Sequence, residues 1–232
     1  LGARGIGRRP TRGSLDVDFA EVVLAALPER ASDRYQRLEA RAEFSGSRDR
    51  WSLDVSRLLL QAPAQTARPM RLRLDGVLQE GRLASLALNS AALWIDDLQP
   101  LAALAPASRQ RDRLVRLAPR GALRDVSLIA TQLHSGAPEL RGGLRLEGFG
   151  FEPADATPGI EGLDAVIAAT GSSGTARIDT RRFALAWPYN FRDRIAARRF
   201  AVRAGWDRHR GAWRLWADDL ELDLDDAKVR AR

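Results

Sequence analysis

A chain of 232 residues, 45% of them hydrophobic, can bury a sizeable core as one large β domain or as two small ones. No apolar run approaches the roughly 20 residues that a membrane-spanning helix needs, and the absence of cysteine excludes disulfides and thiolate chemistry. Nearly all of the formal charge of +7 comes from arginine, because Lys228 is the only lysine. The arginines are interspersed with acidic residues, which argues against nucleic acid as a partner.

The first part of the chain predicts short strands joined by turns. Residues 14–19 fit a strand, and residues 19–27 fit a helix or an apolar turn closed by Pro28. Two hairpins follow, one pairing residues 38–44 with 51–60 and the other pairing residues 70–78 with 82–88. Leu93 and Ile95 continue the alternating pattern.

A helical period of apolar residues covers residues 98–117 and includes Leu98, Leu101, Leu114 and Leu117. Pro106 should divide this stretch in two. We expect the helical stretch to cap one end of a sheet; docking of a partner is the alternative.

From Pro119 onward the apolar and polar residues alternate again, as in strands. The predicted strands cover residues 123–130, 139–149, 165–170, 174–187, 195–206 and 212–224. In the last of these the apolar phase slips by one residue at Asp218 and Asp219, which predicts a β-bulge. The fold class is therefore mainly β, with about twelve strands and one or two short helices around residues 98–117.

A period of two gives each strand one apolar face and one charged face. The apolar face supplies the candidate ligand-contacting residues. They are Leu72, Leu74, Leu86, Leu88, Leu144, Leu146, Phe183, Leu185, Trp187, Trp213, Leu215, Leu220, Leu222 and Leu224. The same alternation would serve the packed core of a β-sandwich or a filled barrel, and taken alone it favours a packed core.

Four pieces of the chain form an ordered set of motifs: residues 50–55 (RWSLDV), residues 117–126 (LAPRGALRDV), residues 158–163 (PGIEGL) with 183–191, and residues 205–206 with 211–215 (GAWRL) and 222–227. Taken together, they resemble the YhdP family of AsmA-like bacterial envelope proteins. Residues 1–40 match least clearly. We therefore expect residues 41–232 to form one section of β-strands that line a groove, with a helical insertion at about residues 98–117. Residues 1–40 are expected to form a strand and a short helix before it.

The resemblance implies a section of a long periplasmic protein, anchored in the inner membrane by a helix outside this segment. The first residue, Leu1, and the single methionine, Met70, agree with an internal piece. In such a protein an elongated, twisted antiparallel sheet curls into an open apolar groove that shields phospholipid acyl chains during transport between the inner and outer membranes. The implied partners are phospholipid, the remainder of the same chain and other envelope proteins, with no cofactor. The alternative is a filled-core β-sandwich or solenoid scaffold module with protein partners only.

The sequence offers no catalytic or metal-binding pattern, so we expect neither an enzyme nor a metal site. His134 and His209 lack acidic or cysteine partners at ligand spacing, and the acidic run over residues 218–226 lacks the glycine and spacing of a calcium loop. Trp187, followed by Pro188 and Tyr189, predicts that its strand ends there, either at a rim where the apolar face meets water or as a packed strand end. We expect the other strand tryptophans to be half-buried: Trp51, Trp206, Trp213 and Trp216.

Overall fold

The computed structural model describes residues 11–23, 34–63, 66–99, 101, 108–134, 138–209 and 211–231. Within them, twelve strands form one antiparallel sheet, and two short helices lie between the fifth and sixth strands. The strands are β1 (Thr11–Val23), β2 (Arg34–Gly46), β3 (Arg50–Gln61), β4 (Met70–Gln79), β5 (Arg82–Trp94), β6 (Arg120–Thr131), β7 (Glu139–Phe151), β8 (Gly159–Gly171), β9 (Ser173–Ala186), β10 (Ile195–His209), β11 (Ala212–Leu224) and β12 (Lys228–Ala231); the helices are α1 (Ile95–Leu98) and α2 (Arg109–Leu117).

The sheet is an open meander. Its strand order is the order of the sequence, and each strand pairs only with its chain neighbours, so β1 and β12 are the two edges of the described sheet. The predicted fold class, an open, mainly β, antiparallel sheet with two short helices, is confirmed. The helices and the 152–158 and 187–194 connections all leave one end of the strands, which we call the helical end.

Three local predictions were wrong. Residues 19–23 belong to β1 rather than to a helix or turn, because Phe19 pairs with Leu38 and Val22 with Tyr35; residues 24–33 lie outside the described part. Ile95 begins α1 instead of continuing a strand. Strand β12 was missed, since Val229 is its only large apolar residue. Residue 40, the expected boundary of the N-terminal segment, lies within β2, and the division of the chain at that point stays a prediction.

Both helices fall near the predicted helical stretch. Helix α2 begins after Ser108, whose hydroxyl accepts a hydrogen bond from the Arg111 amide at 3.1 Å. It ends at Leu117, and Ala118 adopts the left-handed conformation that commonly stops a helix. Pro106, expected to divide the stretch, lies outside the described residues.

Bulges keep one apolar face continuous across the sheet. The predicted bulge in β11 is confirmed: the register with β10 shifts there, and Asp219 has a φ of 54°. Similar shifts interrupt other strand pairs, with Asp125 and Arg182 also at positive φ. Because a one-residue slip would turn every following side chain to the opposite face, the shift of the apolar phase in the sequence compensates for the bulge.

A packed core lies at the helical end, on the same face as the predicted apolar residues. Its fully buried members, the core cluster, are Tyr35, Leu60, Met70, Leu93 and Val126. Leu98 and Leu101, from α1 and the residues after it, pack against this cluster.

A partly buried ion pair holds α1 in place. The Asp97 side chain is 1% exposed and accepts a hydrogen bond from the Arg68 guanidinium at 2.5 Å. The Asp97 carbonyl accepts a second one from the Tyr35 hydroxyl at 2.9 Å. The helix is thereby tied to both β2 and the segment that precedes β4.

Candidate functional site

An unbroken row of uncharged side chains crosses the sheet from β1 to β11. Directly opposite residues in antiparallel strands point to the same face, so the row follows from the register alone. Its members are Gly13, Phe44, Leu53, Leu74, Leu88, Leu128, Gly142, Ala169, Gly174, Trp206 and Leu215. We call this side of the sheet the apolar face.

The opposite side, the charged face, carries most of the arginines and acids of the strands, although Arg208 lies on the apolar face against Trp213. Arg41 donates to Asp16 at 2.6 Å across β1 and β2, and Arg73 pairs with Asp75 at 3.0 Å along β4. Arg203 pairs with Asp219 at 2.6 Å across β10 and β11. Exposed pairs of this kind contribute little to stability, about 0–1 kcal/mol each, but they make this face a hydrated, charged surface.

Two polar residues, Ser90 and Thr180, lie in the middle of the apolar face. Their hydroxyl groups already bind backbone carbonyls, so they are not available to a ligand. Ser90 is buried and donates to the carbonyls of Arg71 and Ala92, at 2.7 and 3.0 Å, beside the β5 bulge. Thr180 is 0% exposed and its hydroxyl contacts the carbonyl of Gly162 at the β8 bulge. A buried polar group is costly only when it lacks a partner, so both positions present hydrocarbon to their surroundings.

The register brings all the predicted site residues that lie in strands onto the apolar face. They do not share one environment, however. Leu72, Leu88 and Leu144 pack against the core cluster, under the helical end. Trp213 and Leu215 are 61% and 77% exposed, because β12 is short and leaves this part of β11 without an outer neighbour. The remaining strand candidates are half-buried, apart from Leu146, which is buried.

Trp187 lies just beyond the last residue of β9, as the predicted strand end requires. Its ring contacts that of Phe191 at 6.2 Å, and its carbonyl accepts hydrogen bonds from the amides of Asn190 and Phe191. Tyr189, next to it, is 74% exposed. The end of β9 thus presents an ordered aromatic turn at the helical end.

Sequence reasoning missed a large part of the apolar face. The missed residues include Leu15, Val17 and Phe19 on β1, Phe44 on β2, Leu53 and Val55 on β3, and Ile160 and Leu163 on β8. The alternation was visible in β1 and β3. In β8 the bulge at Gly162, whose φ is 74°, hides it.

A protein-family model, described as YhdP protein, matches residues 4–232. The chain belongs to the YhdP family. Membership makes it an AsmA-like bacterial envelope protein, and it extends the resemblance into the first 40 residues, where the sequence motifs were least clear. No curated protein and no solved structure is significantly similar to the chain. In the described part of this YhdP-family chain, no helix has the length and apolar character needed to cross a membrane.

The acidic run of this YhdP-family chain is engaged in ion pairs. Asp219 pairs with Arg203, Asp225 with Arg198, and Glu221 with several cations. His134 and His209 are both exposed. Among the described residues, no three potential ligands stand close enough to hold a metal ion.

The strand tryptophans divide into two groups. Trp51 and Trp206 are half-buried, as expected, and each ring lies over a glycine of the neighbouring strand, Gly76 and Gly174 respectively. The expectation of half-burial was wrong for Trp213 and Trp216, which are exposed on the part of β11 that β12 does not reach.

The last hairpin should loosen in acid because of Glu221. Hydrogen bonds from Lys228 and Arg230, at 3.0 and 3.2 Å, hold the pKa of Glu221 below its usual range. A carboxylate with a depressed folded-state pKa stabilises the fold above its unfolded pKa, about 4.3, and this contribution disappears as the pH falls further. We expect hydrogen-exchange protection of the β12 amides, relative to β10, to be constant from pH 7 to 5 and to fall toward pH 3. In Glu221→Gln the β12 protection should be lower at pH 7 and insensitive to pH; the same acid response in that variant would contradict the assignment.

Proposed function

We propose that the apolar face shields phospholipid acyl chains, and that the chain is a section of a periplasmic conduit for phospholipid between the inner and outer membranes. In this role it supports the lipid balance and the barrier function of the outer membrane. No chemical step is required. The protein binds hydrocarbon on one face and presents a charged surface to water on the other.

The observation that carries the proposal is the unbroken uncharged row from β1 to β11. A hydrocarbon chain in water costs about 0.8 kcal/mol per methylene, so sixteen carbons cost on the order of 12 kcal/mol. A surface lowers this barrier only if it is continuous, because each charged interruption would require desolvation of an ion. The row has no such interruption, and the hydroxyls of Ser90 and Thr180 are already satisfied.

The part of the face most suited to this role lies on β7 to β12. The core cluster and α1 belong to β2–β6, where apolar side chains already have partners. On β9 to β11, Phe183 stacks on Phe200 at 4.8 Å, and Phe200 lies opposite Leu222. Leu222 and its strand neighbours are only half-buried in the described structure, so an acyl chain would add contacts there without displacing a packed element.

The direct test is native mass spectrometry with lipid extraction on the chain produced in a bacterial periplasm. We expect phospholipid to copurify at a reproducible stoichiometry and to be displaced by added phospholipid of a distinct mass. A cooperatively folded protein that never carries lipid, even when phospholipid is supplied in detergent, would overturn the proposal.

The second candidate is a scaffold module that binds only protein partners. The core cluster favours it locally, because there the apolar face is filled by the chain itself. A β-sandwich scaffold is excluded for the described residues, because their strands form a single sheet. A scaffold would leave the wild-type chain free of lipid in the same experiment.

A further inference from the structure

One cross-strand row on the charged face is dominated by arginine. The register from β4 to β10 aligns Arg71, Ala92, Arg124, Arg145, Val166, Arg177 and Arg203. We call this the arginine row. At about 4.8 Å per strand it extends on the order of 29 Å along the sheet. The first acid in the same line is Asp218, on β11.

The arginine row places like charges next to each other. Arg124 lies directly opposite Arg145, and Arg177 directly opposite Arg203, an arrangement that destabilises a sheet when it is not compensated. Three of these last four arginines have an acid beside the row. The pairs are Arg124 with Glu147 at 2.8 Å, Arg145 with Asp125 at 2.9 Å and Arg203 with Asp219 at 2.6 Å.

Arg71 and Arg177 are different. Both side chains are exposed, and within the described part of the chain neither takes part in an ion pair, a side-chain hydrogen bond or a ring contact. Arg177 lies between exposed Val166 and the cation of Arg203. A depression of about 1160 Å³ opens beside Arg71 on the charged face; its charged lining also includes Arg57, Arg73, Asp54 and Asp125. The row therefore has two unused cations about 24 Å apart, five strand spacings along the sheet.

The arginine row is bordered by acids and by an uncharged row. Acids flank it closely, as the pairs of Asp125, Glu147 and Asp219 show. The adjacent row of the same face has no charge between β5 and β10: Asn89, Ser127, Gly143, Ala168, Thr175 and Gly205. A broad anionic surface such as a bilayer would meet the flanking carboxylates and be repelled, whereas a thin linear anion could follow the arginines alone.

We propose that the arginine row docks an extended acidic polypeptide segment that lies across strands β4 to β10. Carboxylate is the anion that the row already binds, at 2.6–2.9 Å, and the guanidinium fork matches it in geometry. Same-side side chains of an extended peptide repeat about every 6.8 Å, so about nine residues span the row and present four or five carboxylates to it. Arg71 and Arg177 bind two of these carboxylates, and the others share the row's paired arginines.

The test uses a fluorescently labelled peptide of about ten glutamates, titrated with the whole chain and followed by anisotropy at low and raised ionic strength. The decisive variant is Arg71→Gln/Arg177→Gln, which leaves no acid of the sheet without its partner. The matched control is Arg50→Gln/Arg82→Gln, which removes two exposed arginines of the same face that lie off the row. We expect the row variant to weaken binding at least about tenfold and the control less than about twofold.

Three results would overturn the proposal. They are no binding by the wild-type chain at low ionic strength, an equal loss in both double variants, and vesicles of phosphatidylglycerol binding with the same dependence on Arg71 and Arg177. The last would mean that a lipid surface, rather than a peptide, is the anion. Because these substitutions lie on the charged face, lipid carried on the apolar face should be unchanged, and the two proposals can fail separately.

Discussion

Replacing Leu222 or Leu185 with arginine should abolish phospholipid binding while the chain stays folded. Leu222 lies opposite Phe200 and Val229, and Leu185 lies opposite Ile195 and Ile160, all on the apolar face. A guanidinium there would have to lose water as an acyl chain arrives, and among the described strands no acid lies directly opposite either residue. We expect bound lipid, measured by native mass spectrometry, to fall at least about tenfold. The free energy of unfolding should drop by no more than about 2 kcal/mol, because a half-exposed arginine can turn its head into water.

The matched control for these variants is Ile129→Arg. Ile129 is 46% exposed and lies on the charged face, opposite Ala87 and Arg141, so the same chemical change is made on the other side of the sheet. Lipid binding should persist in it. If instead Leu185→Arg and Leu222→Arg unfold the chain at a cost of about 3–5 kcal/mol, the residues belong to a filled core, and the scaffold alternative is preferred.

Truncating a side chain of the core cluster should instead lower the free energy of unfolding strongly. Leu60 is 2% exposed and packs among Tyr35, Met70 and Leu93. Leu60→Ala removes buried methyl groups and leaves a cavity, which costs about 2–5 kcal/mol for a leucine. For a chain of this size that corresponds to a fall of roughly 4–20 °C in the melting temperature. Denaturant unfolding followed by circular dichroism measures the effect.

Leu215→Ala is the control for the truncation. The same side chain is 77% exposed on β11, so its loss should change the free energy of unfolding by less than about 0.5 kcal/mol. Equal effects of the two truncations would mean that the core cluster is not a packed core. A large effect at Leu60 alone would mean that the packing of β2–β6 supplies most of the folding stability. The apolar face on β7–β12 would then be free to bind a ligand.

Much of the fold follows from the alternation of apolar and polar residues, because a period of two identifies both a strand and its buried side. The slip at Asp218 and Asp219 could even be assigned to a bulge from the sequence. Strand β12 could not be found, since Val229 stands alone between basic residues. The start of α1 at Ile95 was hidden because Leu93 and Ile95 fit a strand equally well.

The sequence predicts many of the residues that lie on the apolar face, but it does not predict which of them pack in the core cluster. Alternation alone assigns Leu72 and Leu222 to the same side, yet Leu72 packs against the core cluster and Leu222 does not. What separates them is the position of α1, which depends on the contact of Asp97 with Arg68 and Tyr35. The arginine row is equally invisible in the sequence, because its members are brought together only by the register of seven strands.

The meander order of the strands bears on how the chain reaches its folded state. Every strand finds its hydrogen-bonding partner in the segment made just before or just after it, so no pairing has to wait for a distant part of the polypeptide. For a protein made almost wholly of strands this keeps loop-closure costs small and favours rapid formation. Successive hairpins can add to one another as the N-terminal part emerges first, much as stacked repeats do. Assembly of this kind should spare each newly made strand a long period with an unpaired edge.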